Sequence, residues 1–189
     1  MTAPGDPLAL FHAEEQALTR DPPTLLSRAS RAHLCAMPDM TPRMQIRAYR
    51  ATDHGEWQRL RRALWPGETP EAELADMAAW LARPNTEVLV AERPDGAGLA
   101  GFAEVGMRAY ADGCETSPVA YLEGWYVDAD VRRQGVGAAL VRGAEAWARG
   151  QGFRELASDT HLDNTVSQQA HRALGFEEVD RVVEYRKML

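Results

Sequence analysis

Tyr126-Val127-Asp128-Ala129-Asp130-Val131-Arg132-Arg133-Gln134-Gly135-Val136-Gly137-Ala138-Ala139-Leu140 reads as the end of a strand, a short acidic turn and a glycine-rich entry into a helix. After it Val136, Leu140, Ala144 and Trp147 recur at helical spacing, so one face of that helix turns inward. The first amides of such a helix lack intrahelical acceptors, and its dipole favours negative charge. Gly135 and Gly137 carry no side chain to keep a phosphate away, and Arg132 and Arg133 add charge-assisted donors. The plain alternative is a glycine-softened helix start with no ligand. Two nucleotide-binding loops are excluded, because no Gly-Lys-Ser/Thr follows and the dinucleotide fingerprint would need a further glycine.

Strands and helices alternate around this stretch. Upstream, Gln45 to Arg50 reads as a strand, and Thr52 or Asp53 caps a helix carrying Trp57, Leu60 and Leu64. Pro70 opens a second helix with Leu74, Met77, Ala78 and Leu81 on one face, stopped by Pro84-Asn85. Thr86 to Glu92 and Leu99 to Arg108 flank a Pro94-Asp95-Gly96 turn and form a hairpin. Val119 to Val127 is a strongly aromatic strand. Downstream, helix Gly135 to Arg149 leads to strand Phe153 to Ser158, helix Asn164 to Leu174 ends at Gly175, and Phe176 to Lys187 reads as a final strand. The order is α/β, an antiparallel meander first and crossover helices later.

Residues 1–43 differ from the rest, holding Pro4, Pro7, Pro22, Pro23, Pro38 and Pro42 and none of the five tryptophans. They read as a weakly ordered extension, with residues 44–189 as one domain. The 189 residues carry a net charge of −7, the wrong sign for a nucleic-acid or anionic-membrane binder and a suitable one for a cationic ligand. Cys35 and Cys114 have neither disulfide-framework nor zinc-ligand spacing, and no histidine pair has metal-ligand spacing, so no metal is expected. No apolar run approaches the ~20 residues of a membrane span. A reducing, cytoplasmic setting is expected.

Arg132-Arg133-Gln134-Gly135-Val136-Gly137 resembles the acyl-CoA pyrophosphate motif of GNAT-type N-acetyltransferases, and Asn164, Ala170 and Gly175-Phe176 are similar to that superfamily's following helix. Leu64-Trp65-Pro66-Gly67, Asp112 to Val119, Leu122-Glu123-Gly124, Ala157-Ser158-Asp159-Thr160 and His171 to Phe176 extend the resemblance to the aminoglycoside 6′-N-acetyltransferases of bacterial chromosomal type. It runs from Met44 to Leu189. The resemblance implies a mixed, mostly antiparallel central sheet with flanking helices and a V-shaped splay between two central strands. It implies acetyl-CoA as co-substrate, held by Trp125, Tyr126, Val127, Arg132, Arg133, Gln134, Gly135, Val136, Gly137, Ala138 and Asn164. It also implies a homodimer, and an acceptor pocket built from Trp65, Glu68, Tyr110, Glu123, Asp159 and Asp180. One departure stands out: His171 lies where most superfamily members carry a tyrosine, so no tyrosine general acid carries over.

An aminoglycoside is a compact polycation, and its pocket needs carboxylates in a cleft. Glu123 lies mid-strand among aromatic residues, where an ionised side chain needs either a ligand or a nearby arginine. Asp159 ends a strand, the edge where ligands contact α/β sheets, with a loop cap as its alternative. Asp180 falls in the last strand, with a solvent-facing alternative. Trp65 and Tyr110 read equally as core or surface aromatics. The acceptor amine must lose a proton before it attacks the thioester. Glu123 is the candidate base, directly or through a water, and Asp159 the second. A backbone N–H at Val127 is the expected oxyanion donor, worth roughly 3 kcal/mol in acyl-transfer sites. Direct transfer in a ternary complex follows, since acidic neighbours make Cys114 a poor nucleophile. Two other readings compete: a GNAT enzyme acting on another small polyamine or peptide amine, and a non-enzymatic acyl-CoA- or drug-binding module.

Overall fold

The structure is a computed structural model, and it describes residues 44–67, 69–94 and 96–188. The expected extension and Glu68 lie outside the described residues. Five strands, β1 (Gln45–Ala48), β2 (Thr86–Glu92), β3 (Leu99–Arg108), β4 (Val119–Val127) and β5 (Leu156–Ser158), form one sheet in that order. The first three pairings are antiparallel, and β4 with β5 is parallel. Among the described residues four α-helices flank it: α1 (His54–Leu64), α2 (Pro70–Ala82), α3 (Val136–Gly150) and α4 (Thr165–Ala173).

Period-two alternation in β2 divides the core. Leu89 and Ala91 join Ala103, Val105, Leu122, Val136, Leu140 and Ala144 beneath α3, whereas Val88 and Val90 join Trp57, Leu60, Met77, Trp80 and Phe102 beneath α1 and α2. The sheet is therefore covered on both faces.

Three expectations are corrected. In α2 the inward residues are Glu73, Met77 and Trp80, while Leu74 and Leu81 are exposed. The helix is turned because Trp80 packs over Gly106, where an added Cβ would come within 3.0 Å of its ring, and Glu73 is held by Gln58 and Arg62. The Asp53 side chain does not cap α1; it accepts from the Arg50 amide and from both terminal nitrogens of Arg47. Phe176 to Lys187 forms no strand. Val179, Val182, Val183 and Tyr185 stay exposed there, because a strand needs a hydrogen-bonding neighbour and none of the described strands pairs with this segment.

The splay is visible in the register. β5 pairs only with Ala120, Tyr121 and Leu122, so β4 continues from Glu123 to Val127 with an open edge. On its other edge the Asp128 N–H donates to the Ala100 carbonyl. Strand alternation then turns the Val127 amide toward the open edge. None of the described helices is long and apolar enough to cross a membrane.

Candidate active site

The loop between β4 and α3 is built as a cup of amides. Arg133 adopts φ +61° and Gly135, the N-cap of α3, φ +82°, so the chain doubles back before the helix starts. The first intrahelical bond returns from the Ala139 N–H to the Gly135 carbonyl, leaving the preceding amides of Val136, Gly137 and Ala138 without helical acceptors. Gly135 serves its backbone conformation, since a Cβ there would meet nothing within 4 Å. Gly137 serves packing, because a Cβ would lie 2.8 Å from the Trp125 ring.

The acidic turn before the helix is neutralised rather than left to repel an anion. The Asp128 carboxylate accepts from Arg59 at 3.0 Å and from Arg93 at 3.1 Å, and Asp130 takes Arg93 at 2.8 Å. Arg132 donates from Nε to the Val127 carbonyl at 2.9 Å, pinning the loop to the splayed strand. Gln134 donates to the Asp130 carbonyl, and Arg133 is exposed. Asn164 caps α4 by accepting the Ser167 N–H through Oδ1, which leaves its amide NH2 as a donor. Orphan amides, two arginines and an open strand edge suit a pyrophosphate with an extended amide-bearing arm, the chemistry of coenzyme A.

Across the splay, two of the acidic candidates are joined by one chain of contacts. The β3–β4 register slips between Glu104 and Val105, which pair with Gly124 and Leu122, so Glu123 is the extra residue of a bulge. Both its oxygens accept from Arg108, Oε1 from Nε at 2.9 Å and Oε2 from Nη2 at 2.5 Å. The Arg108 guanidinium carbon lies 3.3 Å from the centroid of the Tyr121 ring, and the Tyr121 hydroxyl donates to Asp159 at 2.6 Å. Burial, then the bond to Asp159, pushes the Tyr121 phenol well above its usual range. The bond to Glu123 likewise raises Arg108, so its charge is fixed. The arginine partner weighed for Glu123 from sequence is therefore present, and sequence spacing had given no sign of which arginine it was.

Arg108, Tyr110, Tyr121, Asp159 and Asp180 share the wall of an open groove of about 1560 Å3. Tyr110 is exposed, and Asp180 is exposed with one oxygen on the neighbouring Arg181 amide. Trp65 instead lies against Gly124, where a Cβ would come within 2.3 Å of its ring, and packs edge-on to Phe102. His171 sits between Trp125 and Phe176, with Nδ1 2.8 Å from the Ser167 carbonyl and Nε2 3.0 Å from Ser158 Oγ. The Cys114 thiol is pushed up by burial and then by Glu155, a neighbour in space rather than the flanking acids. Among the described residues no group of three or more His, Cys, Asp or Glu is placed to hold a metal ion.

Residues 55–176 match the model of the acetyltransferase (GNAT) family. The chain belongs to this family. A curated relative from Klebsiella aerogenes, named aminoglycoside N(6')-acetyltransferase type 1, is 49% identical over 148 residues, which span 76% of this chain and 96% of the relative. One of the same name from Salmonella typhimurium is 42% identical, spanning 76% of this chain and 99% of the relative. The solved structure of AAC(6')-Iy in complex with the bisubstrate analogue CoA-S-monomethyl-acetylneamine superposes with a TM-score of 0.73 at 41% identity, covering 77% of this chain and 99% of that one. In this GNAT chain the splayed β4 edge and the loop into α3 are the elements whose geometry suits coenzyme A.

Proposed function

We propose that this GNAT protein transfers the acetyl group of acetyl-CoA to the 6′-amine of aminoglycosides by direct attack in a ternary complex, and so confers resistance to them. The observation that carries the reading is the pair of carboxylates, Glu123 and Asp159, set beside the open edge of β4. The relatives named above act on aminoglycosides by name, and they span most of this chain.

Acetyl-CoA supplies an activated thioester. The α3 amides with Arg132 and Arg133 hold its pyrophosphate, Trp125 to Val127 line its arm, and the Asn164 amide group donates to it. The Val127 N–H, turned to the open edge, serves the carbonyl oxygen that gains charge during attack. Glu123 and Asp159 hold the acceptor's ammonium groups, with Tyr110 and Asp180 as further pocket residues. Glu123 takes the proton from the 6′-ammonium once Arg108 has released it, and Asp159 stands second in that role. The protein acts in the cytoplasm as a homodimer. The exposed apolar side chains of segment 177–188 support the dimer, because they offer a second copy apolar surface to bury.

The test is Glu123→Gln. Turnover of kanamycin A falls by about 100-fold or more, the usual scale of a general base, while acetyl-CoA affinity by calorimetry is retained. Equal losses in turnover and acetyl-CoA affinity contradict a catalytic role.

A further inference from the structure

Arg108 is a cation inside a site that must receive cations. It closes β3, forks onto both oxygens of Glu123, and lies flat on Tyr121, whose hydroxyl is committed to Asp159. Its side chain is nonetheless 43% exposed, against 22% for Glu123, so the guanidinium forms the solvent side of the pair. Each of these contacts is one that an incoming ammonium would need.

We infer that Arg108 determines acceptor specificity, as an internal counter-cation that must be displaced from Glu123 and that selects acceptors with several ammonium groups. The inference rests on the proposed role of Glu123 and Asp159 in holding the acceptor. A single ammonium that reaches Glu123 only replaces the guanidinium, exchanging one set of charge-assisted bonds for another. A polycation does more: while one ammonium takes Glu123, another reaches the oxygen of Asp159 that Tyr121 leaves free. The displaced arginine is already half in water and swings outward on its flexible stem, so its release does not bury an unpaired charge. Selectivity thus comes from an attractive pair that the wrong acceptor cannot outbid.

The experiment compares kcat/KM for kanamycin A and for 6-amino-6-deoxyglucose, which carries one ammonium, in the wild type, Arg108→Gln and Arg108→Lys. The preference for kanamycin A is expected to shrink at least tenfold in R108Q, chiefly through a lower KM for the monoamine. R108K keeps a positive charge at Glu123 and is expected to retain most of the preference. An unchanged preference in R108Q, or equal losses for both acceptors, overturns the inference. Glu123→Gln separates the two levels. If E123Q raises the KM for kanamycin A while R108Q leaves the preference unchanged, only the role of Arg108 fails; if E123Q leaves that KM unchanged, the acceptor reading itself fails. A readout on the wild-type protein guards against a misfolded variant. The Arg108 Nε–H, which donates to Glu123, is expected to be protected from solvent exchange in the free protein and to lose that protection at saturating kanamycin A. Protection that persists contradicts displacement.

Discussion

Gly137 shows how closely one residue is tied to the cofactor side of the site. Its missing Cβ is the space that the Trp125 ring fills, 2.8 Å from where the atom would stand. Gly137→Ala must tilt Trp125 off the wall proposed to hold the acyl-CoA arm. A KM for acetyl-CoA raised about tenfold is expected, roughly 1.4 kcal/mol of binding, with a smaller change in the KM for kanamycin A. Initial rates at varied acetyl-CoA check it. Sequence motif and geometry agree that this position is glycine, yet the reason differs. The motif suggested clearance for a phosphate, and the packing shows clearance for an indole that lies twelve residues earlier in the chain. Likewise Glu123 was readable as a charged residue needing a partner, but Arg108 as that partner depends on a bulge that no spacing rule reveals, and the Tyr121 hydroxyl on Asp159 depends on the parallel pairing of β4 with β5.

Elements meet around one buried acid. Glu104 on β3 accepts from Trp57 at 2.9 Å and from Arg61 at 2.8 Å, both on α1, and Arg61 also pairs with Asp76 on α2. Arg61 further stacks 4.8 Å from the centroid of Trp65, so this cluster fixes the end of α1 against the sheet. Burial pushes the Glu104 carboxyl up to about 7, against the opposing pull of Arg61 and Trp57. A carboxyl raised in the folded state binds its proton more tightly there than when unfolded. Its contribution to stability is therefore full below the usual carboxylate pKa of ~4.5 and is lost as pH rises from there to about 7. Urea denaturation at pH 5 and at pH 7.5 measures this. Glu104→Gln is expected to flatten the difference between the two, and an undiminished slope would assign it to other groups. At this scale the sequence was most legible where periodicity was strict: β2, β3 and β4 have the boundaries expected from alternation and turn residues. It was least legible in α2, where tertiary packing of Trp80 and Glu73 overrode the Leu74–Leu81 stripe, and in segment 177–188, whose valines lack strict alternation.

For the molecule as a whole, the sheet is open twice. The edge of β4 beyond Leu122 is left unpaired by β5, and β5, only three residues long, leaves segment 177–188 without a strand partner among the described residues. Five exposed apolar side chains, Val179, Val182, Val183, Tyr185 and Met188, stand on that segment. Sedimentation equilibrium is expected to give a dimer for the full chain and a monomer for a chain ending at Phe176; a truncated chain that remains dimeric places the interface elsewhere. In the proposed reaction the two halves of the site meet across the splay, one for acetyl-CoA and one for a polycationic amine. Thiol release from acetyl-CoA tests it most directly, with kanamycin A, its 6′-hydroxyl analogue, spermidine and no acceptor run side by side. Rapid release with kanamycin A alone is the expected result. Release with spermidine but not with kanamycin A, or equal release with the 6′-hydroxyl analogue, would contradict it.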